Sequence, residues 1–365
     1  MKLLIKQKLI IFSALLILVP MLLSALLIIL QVNSNIESQA ALSIEKDARV
    51  AEQLYQNRQL AIVQVVQNAA QAISAQGLLE SVQAPSNLQG SARLTARIQG
   101  DGRRRLDDVI KSLLQASNID FIVVTDSQGT VMYPPAGEGV AAEGSLKDHP
   151  VLIALQNGVV AKKTDAQSSS MREPAERLRI FGIDALRKQA EVTSEGKTIT
   201  DGLVLEAGAP IIGGGGNLLG VVIAGLLINN AEPDRSIANA IKNTLYPELR
   251  AESGASIALG DVIVSANLPI QQGGGVGIRI KGKLEDRPKV GEETINSEQY
   301  KTAYAPIKDI NSQVIGRIGV QIKQSWFSAI VNRLKIIIGL IVVFFLLLAS
   351  AVAVFAAQRL TRPII

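Results

Sequence analysis

The chain has 365 residues, room for two or three domains, and its mean hydropathy of +0.27 is too high for a disordered polypeptide. With no cysteine there are no disulfides, no thiolate catalysis and no Cys-ligated zinc; the single histidine, His149, leaves no second imidazole for a multi-His metal centre. The formal charge of +5 comes from Lys2, Lys6 and Lys8 at one end and Arg359 and Arg362 at the other, whereas residues 31–357 hold 32 basic and 32 acidic side chains, so no nucleic-acid surface is expected.

Residues 1–8 form a basic N-terminus. Leu9–Leu30 runs 22 residues without a charge, broken only by Ser13, Pro20 and Ser24, and Ile336–Ala357 is a second uncharged run of 22. About 20 apolar residues rising roughly 1.5 Å each cross a hydrocarbon core of about 30 Å, so both runs are expected to be transmembrane helices. The first is longer than the apolar region of a cleaved signal peptide and has no convincing small-x-small cleavage site after it. Lysines before one span and arginines after the other put both termini in the cytoplasm and residues 31–335 outside it. Trp326, Phe327 and Lys335 suit the membrane interface, on a juxtamembrane helix over 324–335.

Between the spans, residues 34–83 contain no Pro and one Gly, and predict a long helix with Ile44, Ala48, Ala51, Leu54, Val66, Ala70 and Ile73 on one face. That face can pack on its own domain or on a partner copy, and both uses remain open. Pro85 and Ser86 break the helix, and Ser91–Gln115 resumes it, giving a helical region over 31–117. Phe121–Thr125 and Thr130–Tyr133 predict a hairpin around Asp126–Gly129, stopped by Pro134 and Pro135. His149–Gln156 predicts a short helix with Gly158 as its stop, and residues 161–200 predict loop and short helix. Leu203–Ile212 and Leu218–Ile228 predict strands joined by Gly213–Gly216. That run leads into a strand, not a helix, so it is a hairpin loop and not a phosphate cradle; Gly273–Gly275 fails the same test. A helix over Ser236–Leu249 precedes hairpins Ala255–Leu259/Val262–Ala266 and Tyr300–Ile307/Val314–Ile322.

An internal repeat orders these parts. Ala207-Gly208-Ala209-Pro210-Ile211 leads to Gly220, and Ala303-Tyr304-Ala305-Pro306-Ile307 leads to Gly316, at a constant offset of 96 residues. The sequence therefore predicts two related modules, 118–230 and 231–323.

This order resembles a bacterial transmembrane receptor with a double Cache sensor domain. The likeness is carried by Asp126–Gly129, by Ala209-Pro210-Ile211 to Gly220, by Leu259–Val262, and by YKTAYAPIKDINSQVIG from Tyr300 to Gly316. Arg359-Leu360-Thr361-Arg362-Pro363-Ile364, within 358–365, is similar to the opening of a HAMP linker, the rest of which and any output domain lie outside this sequence. The resemblance implies an α+β fold: a long N-terminal helix, then two tandem PAS-like Cache modules with antiparallel sheets, flanked by two transmembrane helices. It implies a two-pass inner-membrane sensor, dimeric through its long helix and spans, that binds a small molecule in the membrane-distal module and signals to cytoplasmic partners. The Tyr/Arg/Trp/Asp constellation of amino-acid-binding members is not seen here, so no amino-acid ligand is implied.

Candidate ligand contacts are Tyr133 at a strand end, the loop arginines Arg177 and Arg179, Glu206 inside a strand, and His149, which titrates near neutrality. Arginines suit an anionic ligand through bidentate bonding. Each also has a plain structural reading: packing for Tyr133, solvated surface for both arginines, an exposed strand face for Glu206, and a surface helix start for His149. No cofactor, metal or catalysis is expected. Competing readings are an adhesion or scaffold module, and a tethered hydrolase using Asp184, Glu191, Glu195 or Asp201. The 70 or so residues from Tyr133 to Leu203, against about 30 from Leu268 to Tyr300, favour a ligand pocket in the distal module.

Overall fold

The glycine-poor stretch after the first apolar run does not begin a new helix. In the computed structural model, which describes residues 5–79, 92–133, 145–161, 165–182, 184–270 and 273–361, helix α1 runs unbroken over Ile5–Ala75. At about 1.5 Å per residue its 71 residues extend roughly 105 Å. It ends earlier than the predicted 83, where Gly77 takes the left-handed φ of +57° that closes helix C-termini at little cost. Pro85, Ser86, Pro134 and Pro135 lie outside the described residues, as do Lys2 and Arg362-Pro363-Ile364.

Helix α2 (Ala92–Ala116) is followed by the distal module. Its elements are β1 (Phe121–Asp126), β2 (Val131–Tyr133), α3 (Pro150–Val160), β3 (Gln167–Glu173), α4 (Ala175–Gly182), α5 (Asp184–Ala190), β4 (Val192–Ser194), β5 (Lys197–Ile199), β6 (Gly202–Ile212) and β7 (Leu218–Leu227). Helix α6 (Ile237–Leu245), capped by the Ser236 hydroxyl on the Asn239 amide, opens the proximal module. There follow β8 (Ser253–Leu259), β9 (Val262–Asn267), a 3-10 turn at Gly273–Gly275, β10 (Lys289–Ile295), β11 (Glu298–Lys308), β12 (Val314–Lys323) and helix α7 (Gln324–Thr361).

The repeat is a repeat of topology. The sheets are ordered β2-β1-β7-β6-β3 and β9-β8-β12-β11-β10, so each antiparallel sheet has its first and last strands paired at the centre. Ile211 pairs with Gly220 and Ile307 with Gly316, and both ladders slip at the next residue, Ile212 and Lys308. The predicted hairpins are present. Two elements differ from the sequence pattern: helix α3 continues through Gly158, and residues 161–200, expected as loop and short helix, also supply edge strand β3 and a small β4–β5 hairpin. Strand β3 was hidden because Gln167–Ser170 is polar; its buried serines hydrogen-bond where apolar side chains would pack, with Ser170 Oγ 3.1 Å from Tyr55 Oη of α1.

One face of α1 joins the modules. Ile44, Ala48, Ala51, Val66, Ala70 and Ile73 are buried, as their spacing predicts, against the inner faces of both sheets, and Leu54 packs at the margin. The helix thus packs on its own domain. The outer face of the distal sheet is covered by α3, α4 and α5; that of the proximal sheet carries a smaller cluster around Tyr300 and Tyr304.

Helices α1 and α7 lie against one another, with Ala40 and Val331 buried between them. Among the described residues, Gln324–Val352 is a segment long and apolar enough to cross a membrane; its apolar stretch has a mean hydropathy of 2.8 and is not buried within the chain. The Leu9–Leu30 run is the continuous start of α1, where Leu23, Leu26, Leu27 and Leu30 are exposed.

Candidate functional site

The period of two along β6 sends Leu203, Leu205 and Ala207 towards α1, and Val204, Glu206 and Gly208 towards α3. Glu206 is therefore not on an exposed face: it is 0% accessible beneath α3. His149 is the N-cap of α3, with Pro150 as the first helical residue, and is 1% accessible, not a surface helix start. The end of β3 brings in Glu173, also 0% accessible. His149 Nε2 lies 3.1 Å from Glu206 Oε2 and 3.7 Å from Glu173 Oε1. Among the described residues, neither ring nitrogen nor either Glu206 oxygen has a hydrogen-bond partner of good geometry, so the close pair is misaligned for a hydrogen bond. Burial draws the imidazole pKa down, but Glu206 and then Glu173 lift it past that, to about 9. Burial, then the charge of Glu173, holds the Glu206 carboxyl above its ordinary range against the pull of His149 and Arg177.

Of the other candidates, Arg177 reaches the cluster: its guanidinium bonds Glu173 at 3.1 and 3.3 Å and is partly buried. Arg179 is solvated, 4.0 Å from exposed Asp184. Tyr133 belongs to the opposite, α1-facing core, with its hydroxyl 3.3 Å from Asp107. The sequence reading thus found His149, Glu206 and Arg177 and missed Glu173, which lay in a segment not read as a strand. The four hydrolase carboxylates do not converge; Asp184, Glu191, Glu195 and Asp201 are each ion-paired with an arginine.

Among its described residues, the long distal insertion packs an apolar layer over the sheet. Leu146, Val151, Leu152, Leu155, Leu178, Phe181 and Leu186 fill the space above the sheet. An open cavity of about 470 Å³ lies instead on the outer face of the proximal sheet. Five cationic side chains line it (Arg279, Lys281, Lys283, Lys289 and Arg317) against two acidic ones, Glu292 and Glu293. Arg317 projects from the middle of β12, 7% accessible, lying over the Tyr304 ring at 5.4 Å and donating to the Gly282 carbonyl at 3.2 Å. Its Nε has no partner. Burial pushes the Glu293 carboxyl above its ordinary value despite a 2.7 Å bond from Tyr304 Oη. At the 96-residue offset Arg317 corresponds to Val221, part of the distal apolar filling. One valine-to-arginine difference between the repeats marks the filled face from the open one. Arg279, at the rim, meets Asp261 and, at 3.2 Å, Glu195 from the distal β4–β5 turn.

The chain matches no family model and no curated protein. Solved structures resembling it are sensory domains of bacterial receptors. The ligand-binding domain of the Pseudomonas aeruginosa chemoreceptor PctB in complex with L-Arg is 13% identical with a TM-score of 0.41, over 77% of this chain and 93% of that one. The periplasmic domain of Vibrio cholerae LuxQ is 14% identical with a TM-score of 0.41, over 76% and 99%. The Pseudomonas fluorescens chemoreceptor CtaA domain in complex with L-leucine is 15% identical with a TM-score of 0.39, over 81% and 98%. Likeness at this level assigns neither a ligand nor a residue role.

Proposed function

We propose that the chain is the sensing part of a membrane receptor that binds a small anion in the proximal cavity and passes the change into α7. The observation that carries this is continuity. Strand β12, which holds Arg317 over the cavity, ends at Lys323, and α7 begins at Gln324 with no intervening loop. A ligand that prefers one position of β12 shifts α7 by its differential affinity for the two arrangements. The filled distal module braces α1 and, through Glu195 and Arg279, the cavity rim. The chain itself catalyses nothing; Arg359-Leu360-Thr361 leads into a linker that hands the signal to a cytoplasmic partner or output domain.

Binding is tested on the detergent-solubilised full chain by thermal shift, then calorimetry, against inorganic phosphate, pyrophosphate and small di- and tricarboxylates. At least one should raise the melting temperature in a concentration-dependent way. Arg317→Ala should then weaken it roughly 10- to 150-fold, the worth of one buried charge-assisted contact. Normal binding by Arg317→Ala, with loss in Arg177→Ala, would return the ligand to the distal module.

In this reading both apolar runs cross the bacterial inner membrane, with the modules outside and the receptor a homodimer through α1 and the spans. Single cysteines in this Cys-free chain check the topology with an impermeant thiol reagent on intact cells. Ser127→Cys should label and Thr361→Cys should not; the reverse pattern overturns it.

A further inference from the structure

We infer that His149, Glu173 and Glu206 form a binding site for one divalent cation of the zinc class within the distal module. One donor atom from each residue lies within 4.8 Å of the other two. Two donors about 2.1 Å from a common ion, at angles of 90–109°, stand roughly 3.0–3.4 Å apart. Of the separations from His149 Nε2, the 3.1 Å to Glu206 falls inside that range and the 3.7 Å to Glu173 lies a few tenths of an ångström above it.

The orientation argues the same way. A hydrogen-bonded His–Glu pair at 3.1 Å has its N–H aimed at the oxygen; here the distance is short and the alignment is missing, with both Glu206 oxygens and both imidazole nitrogens unpartnered. Leaving such groups unpaired in a dry core is costly, and more so when they are charged. Donors that converge on one point without bonding one another are the arrangement a shared ion requires.

Charge admits an ion. Two carboxylates sit at 0% accessibility, and the guanidinium of Arg177 is bonded to Glu173. That leaves Glu206 to be balanced by an imidazolium when no ion is bound, or by the ion with the imidazole neutral. One imidazole with two carboxylates is a mixed N/O set suited to Zn²⁺ and its neighbours; Ca²⁺ and Mg²⁺ take oxygen ligands. Three protein ligands leave a fourth position open. The site ties the start of α3 to the ends and middle of β3 and β6, so the ion would pin the covering helix to the sheet. It is separate from the proximal cavity, and its failure leaves the proposed function standing.

The test uses the full chain in detergent, stripped with a chelator, titrated with Zn²⁺ by calorimetry and assayed for retained metal by mass spectrometry. One Zn²⁺ per chain should bind with a dissociation constant below micromolar. His149→Gln and Glu206→Gln should each weaken it by at least about 100-fold, beyond what loss of a supporting residue costs; Asp184→Asn, an exposed acid of the same module, should not. X-ray absorption at the zinc edge of the wild-type chain supplies a second reading that does not depend on either core variant folding. It should show a light-atom N/O shell with one imidazole. No zinc retained by the wild type, unchanged affinity in His149→Gln, or a shell lacking imidazole would each overturn the site and leave an imidazolium as the counter-charge.

Discussion

Alanine at Gly220 or at Gly316 should each cost the chain about 2–4 kcal/mol of stability. A Cβ built at Gly220 falls 2.1 Å from the Thr125 carbonyl oxygen, and one at Gly316 falls 2.2 Å from that of Ala258. Both neighbours are backbone of the adjoining central strand, β1 or β8, fixed by ladder bonds on either side, so neither can swing away. The two sites are the same site twice: each glycine faces the last regular pair before the slip in its hairpin. Gly214→Ala is the control. Its Cβ meets nothing within 4 Å, and it should stay within about 0.5 kcal/mol of wild type. Urea melts of the solubilised chain measure all three. Wild-type stability in both Gly220→Ala and Gly316→Ala would mean that the two sheets do not have this register.

Those glycines also show what was legible beforehand. The 96-residue offset was visible because the same backbone crowding recurs, and crowding dictates residue type at a fixed position. The buried face of α1 was legible for a similar reason, since a 3.6-residue period survives whatever covers it. Strand β3 was not, because an edge strand whose buried positions include serines that hydrogen-bond has no apolar alternation to read. Strand β10, Lys289–Ile295, is also weakly marked: only Ile295 at its end is buried and the rest are half-buried or exposed.

The sites divide along the same line. A lone charge inside an apolar strand, Glu206 in β6 or Arg317 in β12, is a readable signal, and only the first was taken as a candidate. What one strand's charge will meet is set by long-range packing. His149 arrives from 57 residues upstream and Glu173 from an unrecognised strand, so their meeting at Glu206 is a property of the folded chain. The length of the distal insertion misled for a physical reason. Residues over a sheet can line a pocket or fill it, and the leucines and phenylalanine of α3, α4 and α5 fill it.

Phe181→Ala should reveal which of those two the distal outer face is, with an expected loss of about 3–5 kcal/mol. The Phe181 ring, on α4, stacks on Phe121 of β1 with centroids 4.4 Å apart and planes within 3°. Its ring also meets His149 edge-on at 5.8 Å. Removing a 1%-accessible ring takes away its burial and leaves a hole between a helix and a sheet held by other contacts, which collapse only in part. Phe181→Leu should retain most of that stability, falling by less than about 2 kcal/mol, because it keeps apolar volume at the same point. Both are read from urea melts with unchanged slope, so that the difference reports the native state. A core gives this graded pair of losses. A pocket awaiting a ligand would not: an ill-packed face tolerates truncation, and a cost for Phe181→Ala below about 1 kcal/mol would restore the distal module as the place where the small molecule binds.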